Sequence, residues 1–254
     1  MNKKIALVTG VSRLKGIGRA ICIELAKRKF DIFFTYWTAY DLEMPWKVEA
    51  QEPNLIQKEI RELGVDCKKM ELDLSVKGAT DVLLKEVETK MGSPMALVNN
   101  ANYSTQTNID TLTENELDKH YEINVRAATL LTLKFVKQFA YKKNGRVINL
   151  TSGQSLGQMP EEIAYAITKG AIETLTQTLA STLAEKGITI NAVNPGPNDT
   201  GWMDKKMKQE LMNRFPMKRI GQPSDTAQLI GFLASEEAEW ITGQVIHSEG
   251  GFIR

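Results

Sequence analysis

Ile5-Ala6-Leu7-Val8-Thr9-Gly10-Val11-Ser12-Arg13-Leu14-Lys15-Gly16-Ile17-Gly18 is the stretch that decides the fold. A short apolar run passes into a glycine-bearing loop, and the loop opens a helical pattern over 18–29. Gly10 suits a tight turn, Gly16 lets a backbone approach a pyrophosphate, and Gly18 lets the helix settle against a sheet. The helix amino terminus then presents unpaired N–H groups to the anion. Strand, glycine loop and helix in this order predict the first βα unit of a nucleotide-binding sheet.

The same rhythm continues along the chain. Strands are expected at 5–9, 31–35, 68–72, 96–99, 145–150, 189–193 and 244–247, several of them apolar along most of their length. Such runs fit parallel strands covered on both faces. Helical patterns fall at 18–29, 76–91, 113–141, 163–186 and 225–234. This alternation predicts an α/β, Rossmann-type, doubly wound parallel sheet of about seven strands, with helices on both faces and right-handed crossovers. One domain covers 1–254. Two stretches break the rhythm. The 36–53 segment is long for a βα connection and carries Trp37, Trp46, Pro45 and Pro53. The 196–219 segment follows the sixth strand, where ligands bind in this architecture, and is expected to act as a substrate lid.

Composition narrows the class. Hydrophobic content of 42% and charged content of 25% are ordinary for a globular protein, and a net charge of +1 points to no nucleic-acid partner and no membrane surface. No apolar run approaches the roughly 18 residues of a membrane span. The start of the chain, 1–8, is too short in its apolar part for a signal peptide and reads as a first strand. Cys22 and Cys67 lack metal spacing and are too few for a disulfide framework, so buried thiols in a cytoplasmic setting are expected. His120 and His247 are the two histidines, too few for a histidine-rich metal site, and no metal is expected.

The chemistry-bearing residues lie in the second half. Tyr165 and Lys169 stand four apart on a helical pattern and share a face. The Lys169 ammonium is expected to lower the phenol's pKa from its free value of about 10. A phenol tuned in this way exchanges a proton with an alcohol oxygen near neutral pH. Ser152, thirteen residues ahead of the tyrosine, ends the fifth strand. Its hydroxyl and that of Tyr165 can aim two donors at one oxygen on which negative charge grows. Ser155 is a rival for this place, and the spacing favours Ser152.

Thr9-Gly10…Gly16-Ile17-Gly18, Asn124, Ser152, Tyr165 and Lys169 together resemble the short-chain dehydrogenase/reductase family, over nearly the whole chain. The resemblance implies catalytic roles for all four of the latter residues: Lys169 also bonds a nicotinamide ribose, and Asn124 holds a water that links the lysine to solvent. It implies a cofactor site formed by Gly10, Ser12, Arg13, Lys15, Gly16, Ile17, Gly18 and Trp37, by Asp73 and Leu74, and by Asn100 and Ala101. Pro195, Gly196, Asn198 and Thr200 resemble the loop that holds the nicotinamide carboxamide. Two departures stand out. The glycine loop is longer than in most members and is more like that of the enoyl-acyl-carrier reductases, and Asn102 takes the place of a usual glycine. Asparagine tolerates a left-handed backbone, so the turn is expected to survive there.

NADP(H) is the expected cofactor. An acid at the end of the second strand would favour NAD, yet Thr35-Tyr36-Trp37 carries none before Asp41, while Arg13 and Lys15 supply cations for a 2′-phosphate. Among family members the chain most resembles the 3-oxoacyl-acyl-carrier-protein reductases. The implied substrate is a small-molecule or acyl-carrier-bound carbonyl, with another ketone or alcohol as the alternative. An enoyl reductase fits less well, because that branch separates its Tyr and Lys more widely, and a non-catalytic sensor fits less well because both residues are present. In 196–219, Trp202, Met203, Met207, Leu211, Met212 and Phe215 form an apolar stripe. Lys205, Lys206, Lys208, Arg214, Lys218 and Arg219 face Asp204 and Glu210 there, a basic exterior suited to an acidic carrier. Lys143 and Lys186 align with basic positions used against the carrier. The apolar faces of 113–141 and 163–186 and the 240–252 run resemble family interfaces and imply a homotetramer, with a dimer as second choice.

Overall fold

Alternate residues of a strand point to opposite faces of its sheet, and here both faces are apolar. In β1 (Ile5–Val8), Ala6 and Val8 join one buried cluster while Leu7 joins another. In β2 (Asp31–Tyr36), Ile32 and Phe34 part from Phe33 in the same way. The structure, a computed structural model, describes residues 4–44, 46 and 48–254. The first three residues of the expected leading segment, and Pro45 and Lys47 of the 36–53 segment, lie outside the described residues.

β3 (Cys67–Glu71), β4 (Ala96–Asn99), β5 (Gly145–Leu150), β6 (Ile188–Asn194) and β7 (Val245–His247) complete a seven-stranded sheet of order β3-β2-β1-β4-β5-β6-β7, parallel throughout. One face is covered by α1 (Ile17–Lys27), α3 (Glu52–Glu62) and α9 (Pro223–Leu233), whose Ile21, Leu25, Ile56, Ile60 and Ile230 join the first cluster. The other is covered by α4 (Ala79–Lys90), α6 (Ala128–Gln138) and α7 (Ile163–Ala184) through Leu83, Val87, Leu131, Phe135 and Leu183. Each fully buried Phe or Leu contributes about 1.5–3 kcal/mol. Both cysteines are buried in the first cluster. No described helix is long and apolar enough to cross a membrane.

The 36–53 segment is not a plain loop. It holds α2 (Thr38–Glu43), and α3 starts at Glu52 with Pro53 in its first turn. Pro53 at a helix start followed by Ile56 and Ile60 one turn apart was a readable signal for α3. The long helix expected over 113–141 is interrupted. α5 (Glu114–His120) runs into a π-helical turn, Tyr121–Ala127, before α6. α6 stops at Gln138 because Phe139 turns extended, at φ −62° and ψ 111°.

A buried polar chain joins β4, β5, α6 and α7 beneath the carboxyl ends of the strands. Asn99 Nδ2 donates to Asn149 Oδ1 at 2.8 Å and to Thr132 Oγ1 at 3.1 Å, and Asn149 Nδ2 donates to Thr176 Oγ1 at 2.9 Å. Asn149→Ala strands these partners in the core and is expected to lower the unfolding free energy by about 2 kcal/mol. Urea unfolding followed by circular dichroism checks this, and a loss below about 0.5 kcal/mol contradicts it.

Candidate active site

β1 and β4 are neighbours whose following connections leave in opposite directions, and a crevice opens at their carboxyl ends. Gly10 sits there at φ +75°, and a Cβ on it would lie 2.6 Å from the Ala101 Cα. Thr9 Oγ1 accepts from the N–H groups of Asn100 and Ala101 at 3.0 Å each, and Asn100 Nδ2 donates to the Thr9 and Gly10 carbonyls at 2.9 Å. The Asn100 side chain therefore holds the glycine loop, leaving its backbone on the crevice wall. Ser12 Oγ accepts from the Trp37 N–H at 3.3 Å and ties the loop to the end of β2.

The crevice has a volume of about 240 Å³ and opens to solvent. Of the residues expected at a cofactor, it is lined by Gly10, Ser12, Arg13, Gly16, Ile17, Gly18, Trp37, Leu74, Asn100, Ala101 and Thr200. Lys15, Asp73, Tyr165, Lys169, Pro195, Gly196 and Asn198 do not line it, although Tyr165 and Lys169 are expected at the cofactor too. Lys15 is exposed, Asp73 Oδ1 accepts from the Ser75 N–H at 2.8 Å, and Asn198 Nδ2 folds back on the Pro195 carbonyl at 2.7 Å. A dinucleotide fits these residues on three counts. α1 begins with no side-chain cap and no acid in its first turn. Gly18 passes so close to Gly10 that a Cβ would meet its carbonyl oxygen at 2.7 Å. The Oδ1 atoms of Asn102, on the crevice wall, and of Asn198 are buried without a partner, and a buried acceptor left unmatched costs about 1–3 kcal/mol. Asn102 is not in the left-handed conformation expected for it, so this turn needs no glycine.

Arg13 is not a free cation. Its Nε lies 3.2 Å from Asp41 Oδ1, its Nη1 donates to the Thr200 carbonyl at 3.0 Å across the crevice, and the Trp46 ring stacks 4.6 Å from its guanidinium. Trp46 Nε1 also donates to Asp41 Oδ1 at 2.9 Å. The neighbouring Leu14 N–H donates to Glu52 Oε2 at 2.5 Å. The long glycine loop and the long 36–53 segment, two separate oddities of the sequence, thus hold each other. Tyr40 of α2 reaches further, accepting from the Ser104 N–H at 3.2 Å, and burial pushes its phenol up to about 12. Tyr40, Asp41 and Trp46 all line the crevice. Sequence reading missed them, since only a tertiary fold brings them to the glycine loop.

Asn124, Ser152, Tyr165 and Lys169 gather at the carboxyl end of β5. The Ser152 hydroxyl lies near enough to that of Tyr165 to favour its ionised form. Lys169 is 4% exposed, and its Nζ donates to the Leu150 carbonyl at 2.9 Å and stands 5.4 Å from the Tyr165 ring centre. Asn124, in the π-helical turn, accepts from the Tyr103 N–H at 2.8 Å and donates to the Tyr103 carbonyl at 2.8 Å and Thr168 Oγ1 at 3.1 Å. Such turns often mark functional sites. Here it ties the loop after β4 to α7. Ser155 instead donates to Glu173 at 3.3 Å.

The electrostatics differ from the expectation that Lys169 lowers the Tyr165 pKa. Burial pushes the Tyr165 phenol up, with the nearby Ser152 hydroxyl opposing it, and burial pulls Lys169 down to about 7. Desolvation disfavours both charged forms, and the lysine's proton is engaged by a carbonyl rather than by the phenol. Near neutrality the pair holds a neutral phenol and an amine close to its midpoint.

The 196–219 stripe divides. Met203 and Phe215 are buried with Ile220 and packed by Leu211 and Phe252, whereas Trp202, Met207 and Met212 stay exposed. Its basic exterior is smaller than expected, because Lys208 pairs with Asp199 at 2.6 Å and Arg219 with Asp225 at 2.6 Å. Lys143 and Lys186 lie just ahead of β5 and β6, at the amino ends of the strands and opposite the end that carries Ser152. His120 is buried, with Nε2 accepting from the Thr105 N–H at 3.3 Å. It is a structural residue.

A family model described as enoyl-(acyl carrier protein) reductase matches residues 10–253. An uncharacterized oxidoreductase of Bacillus subtilis is 48% identical over 254 residues, covering 99% of this chain and 98% of the relative. A 3-oxoacyl-[acyl-carrier-protein] reductase of Staphylococcus epidermidis is 34% identical over 254 residues, covering 99% of each. Among solved structures, the angucycline C-6 ketoreductase LanV with bound NADP is 28% identical, with a TM-score of 0.86, covering 98% of this chain and 95% of that one.

Lys169 binds its proton more weakly folded than unfolded. The unfolded chain therefore holds the extra proton between about pH 7 and the free-lysine range near 10.5, and stability rises with pH across that window. Lys169→Met removes the buried charge and is expected to raise the unfolding free energy by about 1 kcal/mol or more at pH 6. The gain should shrink by pH 9.5. Urea titrations at the two pH values check this, and a destabilised variant at pH 6 contradicts it.

Proposed function

We propose that this chain, which belongs to the short-chain dehydrogenase/reductase family, reduces a ketone to a secondary alcohol with NADPH. The carrying observation is the gathering of Ser152 and Tyr165 beside buried Lys169 at the end of β5. When bound, the nicotinamide supplies the hydride for the carbonyl carbon. Gly10, Gly16 and Gly18 with the start of α1 would hold the phosphates of the dinucleotide. Thr200, on the crevice wall, would take the carboxamide side.

Ser152 and Tyr165 donate to the carbonyl oxygen, and the charge that grows there strengthens both bonds in the transition state. Tyr165 then gives up its phenolic proton to the oxygen. A raised pKa suits a group that must hold its proton until that moment. Lys169, near its midpoint, re-protonates it. Asn124 keeps Tyr103 and Thr168 in place around the pair.

NADPH is preferred because no carboxylate stands at Thr35–Trp37 and Arg13 sits on the crevice wall, half-buried and pinned. A 2′-phosphate there shares the guanidinium with Asp41. A 3-oxoacyl thioester is the first substrate class: Trp202, Met207 and Met212 give the 196–219 lid an exposed apolar surface for an acyl chain, and the S. epidermidis relative carries that activity in its name. The three residues between Tyr165 and Lys169 favour carbonyl over enoyl reduction. Glu162 supports a second reading, a ketone bearing a hydroxyl or cation. It lies one turn from Tyr165, burial raises its carboxyl, and that carboxyl has no hydrogen-bond or ion-pair partner among the described residues. A homotetramer accounts for exposed Leu117, Tyr121, Leu130, Leu133 and Ile167 and for Trp240 at 94% exposure. Light scattering that gives a monomer mass at micromolar concentration overturns it.

Tyr165→Phe is expected to lower kcat by roughly 10²–10⁴ while leaving NADPH affinity within twofold. Fluorescence titration should show NADPH binding at least about tenfold tighter than NADH, with Arg13→Ala removing most of the difference. Near-normal kcat in Tyr165→Phe, or equal cofactor affinities in the unmodified protein, contradicts the respective assignment.

A further inference from the structure

Two glycines beside Ser152 have no role in the chemistry above, yet both make room for one side chain. A Cβ on Gly153 would lie 2.0 Å from Arg254 Nη2, and a Cβ on Gly157 would lie 2.6 Å from Arg254 Cδ. Gly153 directly follows Ser152. Arg254 is only 24% exposed in its side chain and is anchored by Glu249, with Nη1 to Oε1 at 2.7 Å and Nη2 to Oε2 at 2.6 Å. A bidentate guanidinium–carboxylate pair fixes orientation as well as distance.

Glu249 is itself held from the other side. Asn194, fully buried at the end of β6, donates from Nδ2 to Glu249 Oε2 at 2.8 Å and accepts the Gly196 N–H on Oδ1 at 2.9 Å. Gly196 leaves space for this residue too, since a Cβ there would meet the Glu249 Cβ at 2.4 Å. One continuous path therefore runs Gly196–Asn194–Glu249–Arg254–Gly153. It links the 195–200 loop assigned to the nicotinamide with the loop that carries Ser152.

We propose that the 249–254 arm is a spacer in which Arg254 acts as a positioning residue, fixing Ser152 relative to the nicotinamide loop. The inference rests on the ketone-reductase reading for its catalytic consequence. Hydride transfer depends on the distance between donor carbon and carbonyl carbon, and Ser152 holds the carbonyl by its oxygen. Displacements of about 1 Å in such an arrangement cost up to about 10² in rate. Arg254 touches neither the reacting atoms nor the crevice lining, so its loss should spare cofactor binding.

Amide hydrogen exchange and steady-state kinetics on Arg254→Ala, Arg254→Lys, Gly153→Ala and the Gly153→Ala/Arg254→Ala double variant test this. Exchange over 153–157 should quicken in Arg254→Ala while the 10–18 loop is unchanged. The kcat should fall about tenfold with the NADPH Kd within twofold, and the isotope effect with C4-deuterated NADPH should rise. Arg254→Lys should recover part of the kcat, and the double variant should be no worse than either single one. Unchanged exchange in Arg254→Ala overturns the spacer, and faster exchange with unchanged kcat and isotope effect overturns the positioning role. Should the unmodified protein reduce no ketone, the reaction reading falls while the exchange result still decides the spacer.

Discussion

The approach of Gly10 to Ala101, where β1 and β4 part, is the constraint on which the rest of the structure depends. A side chain at Gly10 would overlap the Ala101 backbone, so only glycine lets the loop lie flat over the strand ends. That flat course aims the start of α1 into the crevice and brings Arg13 across to the Thr200 carbonyl. The clip made by Thr9 and Asn100 locks the arrangement from beneath. The extra length of the loop is not slack, because Glu52 and Asp41 occupy it from the 36–53 side.

The reactive end is expensive in the opposite sense. Lys169 is an ammonium-bearing residue in a nearly closed pocket with one carbonyl partner, and Tyr165 is a phenol whose ionisation burial resists. Neither choice favours stability. The apolar layers on both faces of the sheet and the Asn99–Asn149–Thr176 chain beneath it carry that cost.

Much of the frame was legible in the sequence because it depends on short-range periodicity. Apolar runs such as Ile5–Val8 and Gly145–Leu150, punctuated by glycine loops and helical stretches, fix parallel strands without reference to distant residues. The π-helical turn at Asn124 was invisible, since a shift of one hydrogen-bond register leaves composition and apolar spacing almost unchanged. α3 was hidden by the tryptophans and prolines before it, although Pro53, Ile56 and Ile60 carried its signature. The shared face of Tyr165 and Lys169 followed from helical spacing, and the family resemblance implied that Ser152 and Asn124 join them. Their protonation did not follow, because burial decides it. Arg13 with Asp41 and Trp46, and Arg254 with Gly153, are contacts between distant segments that no local pattern encodes.

The central claim is hydride delivery to a carbonyl carbon with Tyr165 as proton donor. Mass spectrometry of the product formed from a 3-oxoacyl thioester with C4-deuterated NADPH tests it most directly. One deuterium is expected on the carbinol carbon of a 3-hydroxyacyl product, and none of that product with Tyr165→Phe on the same timescale. Deuterium on the chain of a saturated product made from an enoyl thioester, with no labelled alcohol from any ketone, would contradict it.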